Sequence, residues 1–179
     1  IKKHNAYISI YLGGYIVIGG NSSSIDSLLS TLPKHNKYPL QIPFNGAFHT
    51  PMMEEISDKV GLLSKTLHFK KPDIPIIDGR GKVWSPFSAD ISDMASYTLS
   101  HQVNQTYDFN ASIETSLKEF CPDRIVLLGP GNSLGGAIAQ IMIQNKWLGI
   151  SSKDDFIKLQ AENPFLLSMG LNDQRIKVC

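Results

Sequence analysis

The chain opens with two short runs of residues that favour extended backbone. Residues 7–11 and 15–18 are almost all aromatic or β-branched, a composition that is typical of strands. Gly13 and Gly14 stand between the two runs, and both can adopt positive φ without steric strain. The pattern therefore predicts a β-hairpin with its turn at the glycine pair.

A helix and a further strand are predicted after the hairpin. Residues 21–24 form a cluster of N-cap residues, the apolar side chains that follow repeat at helical spacing, and Pro33 ends the pattern. Residues 38–44 then return to a strand pattern. The order strand, strand, helix, strand matches the last two-thirds of a ferredoxin-like unit, whose sheet has an open edge when its first strand and helix are missing. We therefore predict an incomplete ferredoxin-like small domain at residues 1–45.

Helical spacing of apolar residues dominates the chain beyond residue 45. It predicts helices at residues 49–63, 88–103, 111–120 and 134–143. Residues 124–128 form a continuous apolar run, which is typical of a strand buried in a parallel sheet. The order of these elements predicts an α/β fold with a larger unit at residues 46–145. Residues 146–179 are more polar and predict a C-terminal extension, with a helix around residues 154–159 and an irregular tail.

Composition excludes several classes of partner and site. The formal net charge is +1 and no block of like charge occurs, so nothing favours nucleic acid or an anionic membrane surface as a partner. No apolar run approaches the length of a transmembrane helix. Cys121 and Cys179 are the cysteines of the sequence, without a Cys/His cluster, which argues against a zinc site or a disulfide framework and fits a reducing cytoplasm. We expect no metal.

One histidine lies in a sequence context that suits catalysis. His49 falls where a predicted strand ends and a predicted helix begins, within residues 45–53. A histidine at such a junction is partly exposed and held by local geometry, which suits a general base. The alternative is a surface or capping histidine. The other histidines, His4, His35, His68 and His101, lack a comparable context.

A glycine-rich segment follows the apolar run at residues 124–128. A strand, a glycine-rich turn and a helix can present backbone N–H groups to an anion. Residues 131–135 also match the pattern Gly-x-Ser-x-Gly of a nucleophile elbow, with Ser133 as the nucleophile. In that elbow order the histidine follows the serine, whereas here no histidine follows Ser133. A tight turn that packs a helix onto a sheet is the favoured interpretation.

A series of phrases along the chain resembles the acyltransferase family of fatty-acid and polyketide synthesis. The phrases are Ala-Phe-His-Thr-Pro-Met-Met at 47–53, Ile-Pro-Ile-Ile-Asp-Gly at 74–79, Gln-Val at 102–103, Ser-Ile-Glu at 112–114 and Gly-Pro-Gly-x-x-Leu-x-Gly at 129–136. The hairpin, helix and strand before His49 are similar to the small ferredoxin-like domain of that family. The resemblance extends over residues 7–145.

This resemblance implies an α/β-hydrolase-like acyltransferase core, of which the chain is the C-terminal part, with the incomplete small domain in front. It implies transfer of malonyl from malonyl-CoA to the phosphopantetheine thiol of acyl carrier protein by a Ser-His ping-pong mechanism, without a cofactor. His49 matches the catalytic histidine, and Gln102 matches the position whose backbone carbonyl orients it. Phe48 is expected to border the acyl pocket, where an aromatic residue goes with malonyl rather than methylmalonyl.

The chain also departs from the family. It carries neither the Gly-His-Ser-x-Gly serine nor the arginine that pairs with the malonyl carboxylate. It begins at Ile1 without methionine. We therefore expect a fragment of a larger cytoplasmic protein that is inactive alone. Two alternatives stay open: a serine hydrolase that uses Ser133, and an inactive truncated acyltransferase domain.

Overall fold

The computed structural model describes residues 1–63 and 66–178 as a mixed α/β chain. The helices are α1 Ser22–Thr31, α2 Glu54–Leu63, α3 Ile91–Ser96, α4 Gln102–Asn104, α5 Phe109–Phe120, α6 Gly135–Gln144, α7 Lys153–Glu162 and α8 Asn172–Arg175. The strands are β1 Tyr7–Leu12, β2 Tyr15–Gly19, β3 Ile76–Ile77, β4 Val83–Trp84, β5 Tyr107–Asp108, β6 Ile125–Leu127 and β7 Leu166–Ser168. A π-helical turn, Tyr97–His101, joins α3 to α4.

The predicted hairpin is confirmed. β1 and β2 pair antiparallel, and Gly13 has a φ of +63°. The turn lies against the helices that follow it in the chain: the Gly13 N–H donates to Asn110 Oδ1 at 2.7 Å, and a Cβ on Gly13 would come within 2.6 Å of the Ala137 carbonyl oxygen. Only glycine fits this turn, because both its φ and its close approach to α6 exclude a side chain.

Beyond the hairpin, the predicted helix forms and the predicted strand does not. α1 begins after Asn21, whose side chain accepts a hydrogen bond from the Ser24 N–H at 2.8 Å. Residues 38–44, all of which the structure describes, form no strand beyond an isolated bridge at Tyr38. The strand prediction was wrong because Pro39 and Pro43 have no N–H to donate to a neighbouring strand.

Most of the later helices are confirmed with shifted ends. α5 and α6 coincide with the predictions for residues 111–120 and 134–143 within two residues at each end. The helix predicted at 88–103 begins only after Asp90, because the Asp90 side chain accepts from the Asp93 N–H at 3.0 Å and caps the first turn. It then continues to Asn104 through the π turn.

The C-terminal residues are part of the main core, so the expectation of an irregular tail was wrong. β7 pairs parallel with β6, which confirms a strand in parallel pairing at residues 124–128. The side chains of Phe165 and Leu166 are buried with Leu117, Ile138 and Met142. A tail that joins the core through buried side chains and a parallel strand pair in this way cannot be recognised from local polarity.

Three small sheets organise the described residues. β1 lies between β2 and β5 and pairs parallel with β5, β3 pairs antiparallel with β4, and β6 pairs with β7. The domain boundaries after residues 45 and 145 stay predictions. Within the part of the chain that the structure describes, no helix combines the length and the apolar character needed to cross a membrane.

Candidate active site

His49 lies in a tight turn immediately before a helix. The helix was predicted to begin at His49, but His49 has a φ of +57°, and a 3₁₀ turn at Pro51–Met53 leads into α2 only after Thr50. A positive φ is uncommon for a residue with a side chain, and residues held in such conformations cluster at functional sites. The backbone of this turn therefore needs support from its neighbours.

Two side-chain hydroxyls supply that support. Thr50 is fully buried, and its Oγ1 donates to the Ala47 carbonyl at 2.6 Å. From β1, the buried Ser9 donates its Oγ hydrogen to the Phe48 carbonyl at 2.7 Å. Two hydrogen bonds thus hold the turn around His49: one forms within the turn, and the other comes from strand β1.

Two carbonyl oxygens at the C-terminal end of the helical segment 91–104 lie within hydrogen-bond distance of nitrogens of His49. The imidazole Nδ1 lies 2.5 Å from the Gln102 carbonyl oxygen, and the backbone N–H donates to the Val103 carbonyl at 3.0 Å. The last carbonyls of a helix have no partner within the helix, so these two oxygens are available. The structure brings His49 and Gln102 together as the resemblance implies, through the backbone of Gln102.

This contact decides which ring nitrogen is free. A carbonyl oxygen can only accept, so Nδ1 must carry the hydrogen and Nε2 keeps its lone pair in the neutral ring. His49 is half-buried, and its ring centre lies 5.5 Å from that of Tyr107 at an interplanar angle of 48°. The helix C-terminus also carries partial negative charge, which stabilises a nearby imidazolium. The geometry suits a general base that acts through Nε2.

Phe48 is not part of the core. Its side chain is 49% exposed, and a Cβ on Gly46 would lie 3.3 Å from its ring. The ring therefore folds back over the turn beside His49 instead of packing under the hairpin. That Phe48 borders the acyl pocket, and that it influences the choice of acyl group, stay predictions.

A buried acidic group behind the site was not predicted from the sequence. The side chain of Asp78 is 2% exposed and pairs with Arg80 at 2.6 Å. It also accepts from the Trp84 Nε1–H at 3.1 Å and from the backbone N–H groups of Arg80 and Lys82. Burial raises the pKa of the Asp78 carboxyl, but the hydrogen bonds from Arg80 and the backbone outweigh it, so this pKa lies below its ordinary value.

Tyr97 joins this acidic group to the helix that carries Gln102. The Gly79 N–H donates to the Tyr97 hydroxyl at 2.7 Å, and the Arg80 guanidinium lies 4.2 Å from the centre of the Tyr97 ring. Burial raises the pKa of Tyr97 to about 12, so the hydroxyl is protonated at neutral pH. An Asp-Gly pair followed by arginine is the sequence signal here, but its partners are distant in the chain and cannot be inferred locally.

The serine-hydrolase alternative loses its geometric basis. Ser133 is exposed, and across residues 1–63 and 66–178 no hydrogen bond joins it to a histidine. The turn before it serves packing: Gly129 and Gly131 have positive φ, and a Cβ on Gly170 would come within 2.6 Å of the Gly131 carbonyl oxygen. The segment is the structural βα turn favoured by the sequence.

No metal site emerges from the residues that the structure describes. Among them, no group of three or more histidine, cysteine, aspartate or glutamate side chains is arranged to hold an ion.

The curated proteins similar to this chain are polyketide synthases and a malonyl-CoA transacylase. A non-reducing polyketide synthase of Aspergillus fumigatus is 32% identical over 100 residues, which are 56% of this chain and 5% of that protein. The malonyl CoA-acyl carrier protein transacylase of Bacillus subtilis is 25% identical over 143 residues, which are 79% of this chain and 43% of that protein. No protein-family model matches the chain.

Solved structures of acyltransferases share the fold of this chain, in several cases over nearly its whole length. The acyl-carrier-protein S-malonyltransferase of Burkholderia pseudomallei superposes with a TM-score of 0.72 at 16% identity, over 97% of this chain and 49% of that one. The resemblance inferred from the sequence is confirmed, and the chain has the mixed α/β fold of an acyltransferase. It spans about half the length of that structure and less of the curated relatives.

Proposed function

We propose that this chain supplies the histidine part of an acyltransferase site that moves malonyl from malonyl-CoA to the phosphopantetheine thiol of acyl carrier protein. The observation that carries the proposal is the contact of 2.5 Å between His49 Nδ1 and the Gln102 carbonyl. It leaves Nε2 free to accept a proton, as a general base must. Relatives named as malonyl-CoA transacylases support the choice of acyl group and partner.

The proposed reaction has two acyl transfers through one histidine. A serine in a Gly-His-Ser-x-Gly phrase, absent from this chain, gives its proton to His49 Nε2 and attacks the malonyl thioester. The imidazolium returns that proton to the departing CoA sulfur, which leaves a malonyl-serine ester. The phosphopantetheine thiol then gives its proton to Nε2, attacks the ester and releases the serine, which regains the proton.

A backbone carbonyl takes the place that a carboxylate has in a Ser-His-Asp triad. The Gln102 carbonyl fixes the tautomer and the orientation of the His49 ring, as the aspartate of such a triad does. It carries no full charge, so it stabilises imidazolium less, and the partial negative charge of the helix end adds to it. This weaker stabilisation suits a thioester, whose thiolate is a good leaving group.

The finer architecture belongs to the same proposal. Residues 1–45 are proposed as an incomplete ferredoxin-like small domain, since the hairpin and α1 form. Residues 46–145 are proposed as the C-terminal part of an α/β-hydrolase-like core, and residues 146–179 as an extension of it. A cytoplasmic location is proposed as well, in keeping with the sparse cysteines of the sequence.

The direct test is malonyl transfer from labelled malonyl-CoA to holo acyl carrier protein. The chain alone should show none, because it carries no Gly-His-Ser-x-Gly serine. A polypeptide that joins such a segment to this chain should be active, and His49→Ala should lower its acylation rate about 10²-fold or more. The matched control is His35→Ala, which removes an exposed histidine and should leave the rate unchanged.

Three results would contradict the proposal. An unchanged single-turnover acylation rate in His49→Ala would show that His49 is not the base. Transfer by the chain alone that Ser133→Ala abolishes would make Ser133 the nucleophile. Loss of transfer in every polypeptide that contains the chain would favour the inactive truncated domain.

A further inference from the structure

A continuous series of hydrogen bonds connects the turn at Gly79 to the imidazole of His49. The Gly79 N–H donates to the Tyr97 hydroxyl at 2.7 Å. The Tyr97 carbonyl accepts from the Gln102 N–H across the π turn, and the Gln102 carbonyl accepts from His49 Nδ1. The side chain of Tyr97 is therefore bonded to a turn outside the helix, and its backbone carbonyl is bonded to Gln102, the residue that orients His49.

We propose that Tyr97 is a positioning residue, whose hydroxyl fixes the π turn and through it the direction of the Gln102 carbonyl toward His49. The relevance of Tyr97 to catalysis rests on the function proposed above. The contact that this positioning role predicts can be measured without any acyl transfer.

The π turn is what makes this connection possible. In an α-helix the Gln102 N–H would donate to the carbonyl four residues earlier, that of Thr98, whereas here it donates to the Tyr97 carbonyl five residues earlier. A π turn is a local departure from helical geometry that is found often at functional sites. It needs outside support, since a regular α-helix is the lower-energy form of such a segment.

That support comes from two sides of the turn. Tyr97 is 6% exposed, and its hydroxyl is held by the Gly79 N–H. On the α2 side, Ser57 is fully buried, and its Oγ lies 2.9 Å from Ser100 Oγ. A hydroxyl from each side therefore holds the turn, and removal of either leaves buried polar groups without their partners.

The ring of Tyr97 is held independently of its hydroxyl. The Arg80 guanidinium lies 4.2 Å from the ring centre, and the ring of His101 lies 5.5 Å from it. A phenylalanine can keep both contacts. Tyr97→Phe thus removes the hydrogen bond to Gly79 while it preserves the packing, which makes it the appropriate variant.

The test measures the tautomer of His49 by NMR of the full chain with ¹⁵N-labelled histidine. The wild type should show Nδ1–H as the dominant neutral form. In Tyr97→Phe the ratio of Nδ1–H to Nε2–H should fall about fivefold, the equilibrium effect of one ordinary hydrogen bond. The matched control is Thr115→Val, which removes the hydrogen bond of 3.0 Å from Thr115 Oγ1 to the Gly81 carbonyl in the same turn and should leave the ratio unchanged.

An unchanged ratio in a folded Tyr97→Phe chain overturns the proposal, and so does an equal fall in Thr115→Val. If Tyr97→Phe does not fold, Ser57→Ala releases the same turn from the other side and must lower the ratio. An unchanged ratio there also overturns the proposal. Because the tautomer is read without substrate, failure here is distinct from failure of acyl transfer in the His49→Ala experiment.

Discussion

The imidazole Nδ1 of His49 lies 2.5 Å from the backbone carbonyl oxygen of Gln102, a residue 53 positions later in the chain. The two residues meet because the turn that contains His49 closes over the C-terminal end of the helical segment 91–104. The same turn places the His49 N–H on the Val103 carbonyl. His49 thus caps the C-terminal end of the helical segment, and the same helix end orients the His49 ring.

The side chain of Gln102 should matter little, because the contact uses its backbone. Gln102→Ala in an active polypeptide should change the acylation rate by no more than about twofold, the usual range for a substitution away from specific contacts. Gln102→Pro should be severe, because proline has no N–H to donate to Tyr97. Single-turnover acylation of the serine measures both. A loss in Gln102→Ala as large as in His49→Ala would mean that the side chain acts.

Phe48 should influence the choice of acyl group. Its half-exposed ring lies over the turn that carries His49, where we expect it to limit the room for the branch methyl of methylmalonyl. Phe48→Ser should narrow the preference for malonyl, by up to the roughly 10–200-fold that one methyl group is worth in a pocket. Competition between the two CoA esters gives the ratio of kcat/KM values.

The control for this experiment is Phe87→Ser, which removes a ring that is 92% exposed. It should leave the competition unchanged. An unchanged ratio in Phe48→Ser as well would restrict Phe48 to a packing role.

Gly79 should tolerate no side chain. A Cβ at this position would overlap the ring of Tyr107, which stacks beside His49, and would come within 2.8 Å of the Tyr97 hydroxyl. Gly79→Ala should therefore lower the free energy of unfolding by about 1–3 kcal/mol, the usual effect of overpacking. The urea midpoint of the chain measures this loss.

Gly61 offers a matched comparison of opposite sign. It lies in α2, and an added Cβ meets nothing within 4 Å. Gly61→Ala should raise the free energy of unfolding by about 0.5–1 kcal/mol, the difference between the two residues inside a helix. Equal effects at both glycines would contradict the steric account of Gly79.

His101 should make stability depend on pH. Burial lowers the pKa of its imidazole, the charge of Arg80 lowers it further, and the Asp78 carboxylate raises it by less. Since the folded-state pKa lies below the ordinary 6.5, the unfolded chain binds a proton first as the pH falls. The stabilisation is complete above pH 6.5 and is lost as the pH falls from there through the folded-state pKa.

The measurement compares urea midpoints at about pH 7.5 and about pH 5.5, on either side of the ordinary histidine pKa. The midpoint of the wild type should fall by more than that of His101→Gln. Parallel falls in both proteins would show that other groups cause the pH dependence.

Exposed apolar side chains should make the isolated chain prone to self-association. Leu40, Ile42, Phe44, Ile74 and Leu128 are each more than half exposed. The first three lie within five consecutive residues, and clustered apolar side chains on a surface promote association. The chain should bind an apolar dye strongly or self-associate in sedimentation experiments. The double variant Leu40→Ser/Ile42→Ser should reduce the effect, and a strictly monomeric wild type without dye binding would contradict it.

Local signals made much of the fold predictable. The glycine pair fixed the hairpin, Asn21 marked the start of α1, and helical spacing located α5 and α6. Each of these depends on residues a few positions apart, whose hydrogen bonds and sterics act within a single turn. The position of His49 next to a helix was also predicted from the sequence, although the positive φ of His49 was not.

Contacts between distant segments limited the rest. β7 was missed because it forms only by pairing with β6, which lies some forty positions earlier. The Asp78 cluster was missed for a similar reason, since its link to the site passes through the Tyr97 hydroxyl. The contact of His49 with Gln102 came from the resemblance alone, because no local pattern shows which carbonyl an imidazole will reach.

The oxygen that orients His49 belongs to the main chain, so it is present whichever residue type occupies position 102. A substitution at position 102 by any residue except proline changes the side chain and leaves the acceptor of the 2.5 Å contact in place. Apart from proline at position 102, the substitutions expected to displace this oxygen lie at residues that hold the path of the helix, such as Tyr97. We therefore expect related sequences to vary more freely at position 102 than at His49, whose side chain makes the contact.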